Sequence, residues 1–206
     1  MKSLVILGVP RAGKSNLSQS VAHHLASKGN TVSLVSADAV IGGLTAQRNT
    51  LLWRIFVRPL RHLFPWIRRK SRYNMVQRMK QFVGRFVNES ADNTVVIFEG
   101  AYITPNEALE IFDVNKCKIV VVGYPNAKVD DKVAEIRKYD KRASYIACAN
   151  DKEIKEKVAY LVELSKIYQK QSKGKFTFLD TSTDYHGTLD KFVNNVTEFL
   201  GDQLSK

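Results

Sequence analysis

The stretch "GVPRAGKS", Gly8 to Ser15, matches G-x-x-x-x-G-K-[ST] at every fixed position. Glycines at this spacing let a loop turn several backbone N–H groups toward one point, which makes a nest for an anion. The lysine and hydroxyl that close the loop add a positive charge and an oxygen ligand. Together they suit a polyphosphate: Lys14 would reach the β- and γ-phosphates, and the Ser15 hydroxyl would hold Mg2+. The cradle comprises Gly8, Val9, Pro10, Arg11, Ala12, Gly13, Lys14, Ser15 and Asn16, and it implies ATP and Mg2+ as cofactors. A glycine-rich turn that binds nothing is the bland alternative. The motif's position between a strand and a helix argues against it.

Two carboxylates stand at comparable places. Asp38 ends the stretch "TVSLVSAD", and Glu99 follows "TVVIF". A carboxylate at the end of a buried strand is costly unless it has a partner such as a metal or a cation. For Asp38 the structural alternative is a helix cap before "AVIGGL". For Glu99 it is a simple ionic contact in a loop.

These residues need a scaffold. "LVIL" (Leu4 to Leu7) ends in Gly8, and its length and that glycine favour a buried strand. From Lys14 the period changes: Leu17, Val21, Ala22 and Leu25 share a helical face, closed by "KGN" at Lys28 to Asn30. Thr31 to Asp38, Thr94 to Gly100, Lys118 to Pro125 and Lys175 to Ser182 read as four more strands. Helical patterns occupy Asn106 to Phe112, Ala127 to Lys138, Asp151 to Gln171 and Gly187 to Leu204. Almost wholly apolar strands alternating with helices predict an α/β fold, with a five-stranded parallel sheet covered on both faces.

The departure from this alternation lies between strands two and three. From Arg48 to Asn88 there are eleven Arg and Lys residues and no Asp or Glu. The formal net charge of the whole chain is +12, so the high pI belongs to this segment and the rest is near neutral. Leu52, Ile55, Phe56, Leu60, Leu63 and Ile67 recur on one helical face, with Arg54, Arg58, Arg61 and Arg68 opposite. Pro59 and Pro65 break the pattern into short helices, and Pro65 suits the first turn of a new one. That helix has its own stripe of Val76, Met79, Phe82, Val83, Phe86 and Val87.

Bulk properties exclude several classes. At 206 residues the chain suits one domain with an insertion. Cys117 and Cys148 are too few for a disulfide framework and show no C-x-x-C spacing, so idle thiols in a reducing cytoplasm are expected. The amino end does not read as a secretory signal, and no apolar run of about 18 residues exists to cross a bilayer. His23 and His24 lie on the first helix with no catalytic spacing.

The motif "GVPRAGKS", the acids ending strands two and three, the helical insertion and a basic segment after strand four resemble the P-loop small-molecule kinases: the nucleoside monophosphate, shikimate and uridine kinase group. The resemblance covers most of the chain. It implies a three-layer P-loop NTPase fold with the phosphate-loop strand central, residues 40–93 as the acceptor-binding insertion, and residues 137–150 as a lid. It implies that Asp38 is a base or orienter for the acceptor hydroxyl, or a metal-sphere ligand, and that Glu99 holds Mg2+ through water. Tyr102 and Thr104 would lie on the acceptor side, and Arg48 and Arg54 are candidate contacts to its anionic group. Arg137, Lys138, Lys141 and Arg142 resemble lid residues that neutralise the transferred phosphoryl group, although a basic helix end alone would favour such residues. "DTSTDYHG" takes the place of an adenine-contacting loop.

The departures are specific. Arg11 stands where such loops often have glycine, and Asn16 where threonine is common. No D-G-x-P-R follows strand three, which argues against adenylate kinase proper. No N-K-x-D occurs, which argues against a guanine-specific switch. The expected activity is phosphoryl transfer from ATP to a small anionic metabolite or nucleotide. Three alternatives keep the surplus of bases in view: a kinase acting on a nucleic acid or tRNA, a membrane-apposed ATPase, and apolar stripes that pack on the sheet or on a second subunit as a homodimer.

Overall fold

The structure is a computed structural model that describes residues 2–46, 65–90, 94–139 and 150–200. Twelve elements follow one another in these residues. They are β1 (Lys2–Gly8), α1 (Lys14–Ser27), β2 (Thr31–Ser36), α2 (Ala37–Ala46), α3 (Pro65–Glu89) and β3 (Thr94–Gly100). After them come α4 (Pro105–Ile111), β4 (Cys117–Gly123), α5 (Val129–Tyr139), α6 (Asp151–Ser172), β5 (Thr177–Asp180) and α7 (Tyr185–Leu200).

The five strands form one parallel sheet in the order β2-β3-β1-β4-β5. The expected five-stranded parallel sheet with the phosphate-loop strand at its centre is therefore present. Composition follows position in the sheet. Leu4 to Leu7, Val95 to Phe98 and Val120 to Val122 are wholly buried, because helices cover both faces of the three inner strands. The edge strand β2 is exposed at Thr31 and Leu34 and half-buried at its other residues.

Strand two ends earlier than its apolar pattern predicts. It stops at Ser36, and Asp38 lies in the first turn of α2. The Ser36 hydroxyl accepts from the Ala39 N–H at 3.4 Å, so Ser36 takes the capping position. Two other helices start from capping boxes that pattern reading alone passes over. Thr104 and Glu107 cap α4, with Pro105 in its first turn, and Asn150 and Glu153 cap α6. The last helix begins at Tyr185, so Gly187 lies inside it.

The second half of the insertion is a single helix that starts at Pro65, as its pattern predicts. Its stripe packs into the domain core: Met75, Val76, Met79 and Val83 are buried, and Phe82 and Phe86 pack against them. The Phe86 ring meets Phe98 of β3 edge-on at 5.9 Å, and Phe98 meets Phe112 at 5.4 Å. These residues are thereby consumed by the sheet's own core. The short helices expected between Leu51 and Leu63 fall outside the described residues.

Cys117 is buried at the start of β4, where burial pushes its thiol up. Cys148 lies outside the described residues. Among the described residues, no helix is long and apolar enough to cross a membrane.

Candidate phosphate and acceptor site

The loop between β1 and α1 leaves the sheet under tight steric control. Gly8 has φ 142°, and a Cβ there would stand 1.9 Å from the Val122 carbonyl oxygen of β4. Only glycine lets the chain turn so close to the neighbouring strand. Arg11 takes a left-handed conformation, φ 64°, at the position where the sequence departs from glycine. Gly13, φ 92°, directly precedes α1.

Lys14 opens that helix and is buried, 7% exposed. Its Nζ donates to the Val9 carbonyl at 2.8 Å, folding the side chain back over its own loop. Burial lowers its pKa to about 8, while Asp38 and Glu99 pull it upward and Arg11 pushes it down. The lysine thus sits in the field of both predicted acids. The Ser15 hydroxyl donates to Glu99 Oε2 at 3.2 Å, so the two residues assigned to the metal converge. A hydroxyl and a carboxylate oxygen beside a phosphate cradle fit Mg2+, which takes few protein ligands and completes its shell from phosphates and water. Among the described residues no cluster of three or more His, Cys, Asp or Glu forms.

Asp38 has a role that its sequence position does not reveal. Its Oδ1 accepts from the Ala101 N–H at 2.9 Å and the Tyr102 N–H at 3.1 Å, and Oδ2 stands 3.0 Å from the Ala101 nitrogen. The carboxylate therefore ties α2 to the loop that follows β3. Gly100 makes room for it: a Cβ there would meet Asp38 Oδ1 at 2.9 Å and the Ala37 side chain at 3.0 Å.

The same loop is held from the insertion. Arg72 of α3 forms a bidentate pair with Glu107 and also donates to the Tyr102 carbonyl. Burial raises the Glu107 pKa, but the bonds from Arg72 and Thr104 outweigh it and keep the carboxyl below its usual range. Tyr102 itself projects into solvent, 62% exposed.

A second group braces the other side of the cradle, and sequence reading misses most of it. The buried Tyr124, just past β4, donates its hydroxyl to the Pro10 carbonyl at 2.9 Å. Its backbone N–H donates to the Ser165 hydroxyl at 3.1 Å. The Tyr185 ring lies so close to Gly13 that a Cβ there would stand 2.5 Å from it, and its hydroxyl accepts from Asn16 Nδ2 at 2.9 Å. Lys132 of α5 is 3% exposed; its Nζ lies 4.7 Å from the Tyr124 ring centroid and 5.9 Å from that of Tyr185, and it pairs with Glu135 at 2.8 Å. A lysine four residues before Ile136, on the apolar face of an amphipathic helix, was the one legible sign. Tyr185 belongs to the "DTSTDYHG" segment, whose Asp180 accepts from Asn126 Nδ2 at 2.9 Å.

Arg137, in the last turn of α5, donates to Asp151 at 3.0 Å, so the first residue of the expected lid pairs with the start of α6. Lys141, Arg142, Arg48 and Arg54 lie outside the described residues. The structure thus brings together Lys14, Ser15, Asp38 and Glu99, with Tyr102 on the loop that Asp38 holds.

No family model and no curated protein matches the chain. Solved structures do. The chain is similar to shikimate kinase from Bacteroides thetaiotaomicron, with TM-score 0.51 and 16% identity, over 97% of this chain and 98% of that one. It is similar to shikimate kinase from Acinetobacter baumannii in complex with shikimate, with TM-score 0.50 and 14% identity, over 95% and 93%. A sugar kinase from Janibacter sp. HTCC2649 gives TM-score 0.51 and 14% identity, over 99% and 98%. Nearly end to end, the chain has the fold of the P-loop small-molecule kinases.

Proposed function

We propose that the chain is an ATP-dependent kinase of a small, anionic, hydroxyl-bearing acceptor. The observation that carries this reading is the convergence of four side chains at the carboxyl edge of the sheet. Lys14 lies in the field of Asp38 and Glu99, and Ser15 bonds Glu99. Ligands of open α/β sheets bind at this edge.

The loop's N–H groups and Lys14 hold the phosphates of ATP. Phosphate oxygens draw Lys14 Nζ off the Val9 carbonyl, replacing a neutral acceptor by a charged one. Ser15 and Glu99 would hold Mg2+, which would supply positive charge to offset that of the phosphates. The acceptor oxygen forms a bond to the γ-phosphorus as the bond from that phosphorus to the β–γ bridging oxygen breaks, leaving ADP. Asp38, its carboxylate fixed by two backbone N–H groups, orients the acceptor hydroxyl and takes its proton. The loop at Gly100–Thr104 forms one wall of the acceptor site. Its position depends on Asp38 from one side and Arg72 from the other. Arg48 and Arg54 supply charge to the acceptor's anionic group, and Arg137 and Arg142 to the phosphoryl group in flight.

The kinases named above support a small acceptor, and one of them holds shikimate, a hydroxy acid. A screen of hydroxy acids, sugars and nucleotides for acceptor-stimulated ADP release tests the reading. Stimulation by one anionic class is expected. ADP release that no acceptor stimulates would mark a plain nucleotidase instead.

A further inference from the structure

The exposed face of α3 is strongly basic. Because Met75, Val76, Met79 and Val83 are buried, the direction that α3 turns to solvent is determined. Along that direction Lys70, Asn74, Arg78, Gln81 and Arg85 recur at intervals of three or four residues, which places them in one row. Lys70, Arg78, Gln81 and Arg85 are exposed and Asn74 is half-buried. The row alternates base, amide, base, amide, base. It runs about 22 Å, at about 1.5 Å per residue. Tyr73, 61% exposed, lies beside Lys70 one turn on. No acid occurs on α3 before Glu89. Lys80 is not part of the row, since it borders a cleft with Glu110 and Asp113.

From this row we infer that α3 is a docking surface for a single-stranded nucleic acid, read through its phosphate backbone. Lys and Arg with interspersed amides and a tyrosine are the side chains that contact phosphate and sugar. A flexible single strand can follow a straight row, and an exposed aromatic beside it gives a base a surface to stack on. An anionic membrane is the competing polyanion. The apolar stripe that a helix would need to enter the headgroup region is packed against the sheet. The inference rests on α3 alone and is independent of the acceptor assigned to the active site.

The test is anisotropy of a fluorescein-labelled single-stranded 20-mer, titrated with the full chain over a range of salt. Lys70→Glu/Arg85→Glu is compared with Lys152→Glu/Lys170→Glu, which makes the same charge change at exposed positions of α6. The α3 variant should bind about tenfold more weakly, and its slope of log affinity against log salt should be shallower by about 1.4. The α6 variant should bind like the unmodified chain. Lys70→Gln/Arg85→Gln, a milder change, should show a smaller loss in the same direction and guards against a folding defect. Equal losses in the α3 and α6 variants would reduce the effect to net charge and overturn the inference. Absence of binding by the unmodified chain near 100 mM salt would also overturn it, as would binding to phosphatidylserine vesicles in preference to the 20-mer.

Discussion

The Tyr124 hydroxyl donates to the Pro10 carbonyl at 2.9 Å, joining the end of β4 to the loop after β1. The ring that delivers this bond is buried and faces the amino group of Lys132, so the phosphate loop is braced from beneath by an aromatic–cation group. Tyr124→Phe should preserve the fold, cost about 1 kcal/mol of stability, and weaken nucleotide binding severalfold while leaving the acceptor KM unchanged. Thermal melts with nucleotide titrations check this. An acceptor KM that moves while nucleotide affinity stays fixed would assign Tyr124 elsewhere.

Lys14 carries a stability cost that depends on pH. Its pKa falls from 10.5 in the unfolded chain to about 8 in the folded one. Between those values the unfolded lysine holds a proton that the folded one has given up, so Lys14 makes stability rise with pH across the window. Below pH 8 both are charged and the cost, on the order of 3 kcal/mol, is present in full. Lys14→Met should therefore be more stable than the native chain at pH 7, with the advantage shrinking from pH 8 to 10. Denaturant titrations at several pH values measure it.

The same displacement predicts a proton balance on binding. Phosphate charge should raise the Lys14 pKa again, so ATP binding near pH 9 takes up a proton that binding at pH 6.5 does not, as far as Lys14 is concerned. Calorimetry in buffers of different ionisation enthalpy reports the uptake, and Lys14→Ala should abolish it.

Glu99→Gln removes a charge from the Ser15–Glu99 pair but keeps its shape. The Mg2+ concentration needed for half-maximal rate should rise by about tenfold, with little change in thermal stability. An unchanged Mg2+ requirement would leave Glu99 a structural partner of Ser15.

Arg72→Ala should raise the acceptor KM more than the ATP KM, because Arg72 holds the Tyr102 carbonyl and Glu107 rather than the cradle. Arg72 is 42% exposed, so solvent screening limits its stability contribution to about 1 kcal/mol. Steady-state kinetics with each substrate varied in turn separate the two effects.

What the sequence made legible was local. "GVPRAGKS" and the apolar strands declare themselves because their signals lie within a few consecutive residues, and the stripe on α3 does so through its period. Asp38 was legible as a carboxylate near the site. Its hold on the Ala101 and Tyr102 N–H groups was not, because those partners lie 63 and 64 positions away. Tyr124 was hidden for the same reason: an aromatic after an apolar strand reads as core, and its hydroxyl's partner lies 114 positions distant. Arg72 could not be told from ten other bases in the insertion until α4 supplied Glu107.

Phosphoryl transfer by this chain depends most directly on Lys14. The decisive comparison is acceptor-dependent ADP formation by the native chain and by Lys14→Ala at saturating Mg2+ and ATP, with folding of both verified by circular dichroism. The variant's rate should fall by at least about a hundredfold, in line with the loss of one preorganised group that stabilises charge in the transition state. Equal rates in the two proteins would rule out phosphoryl transfer at this loop.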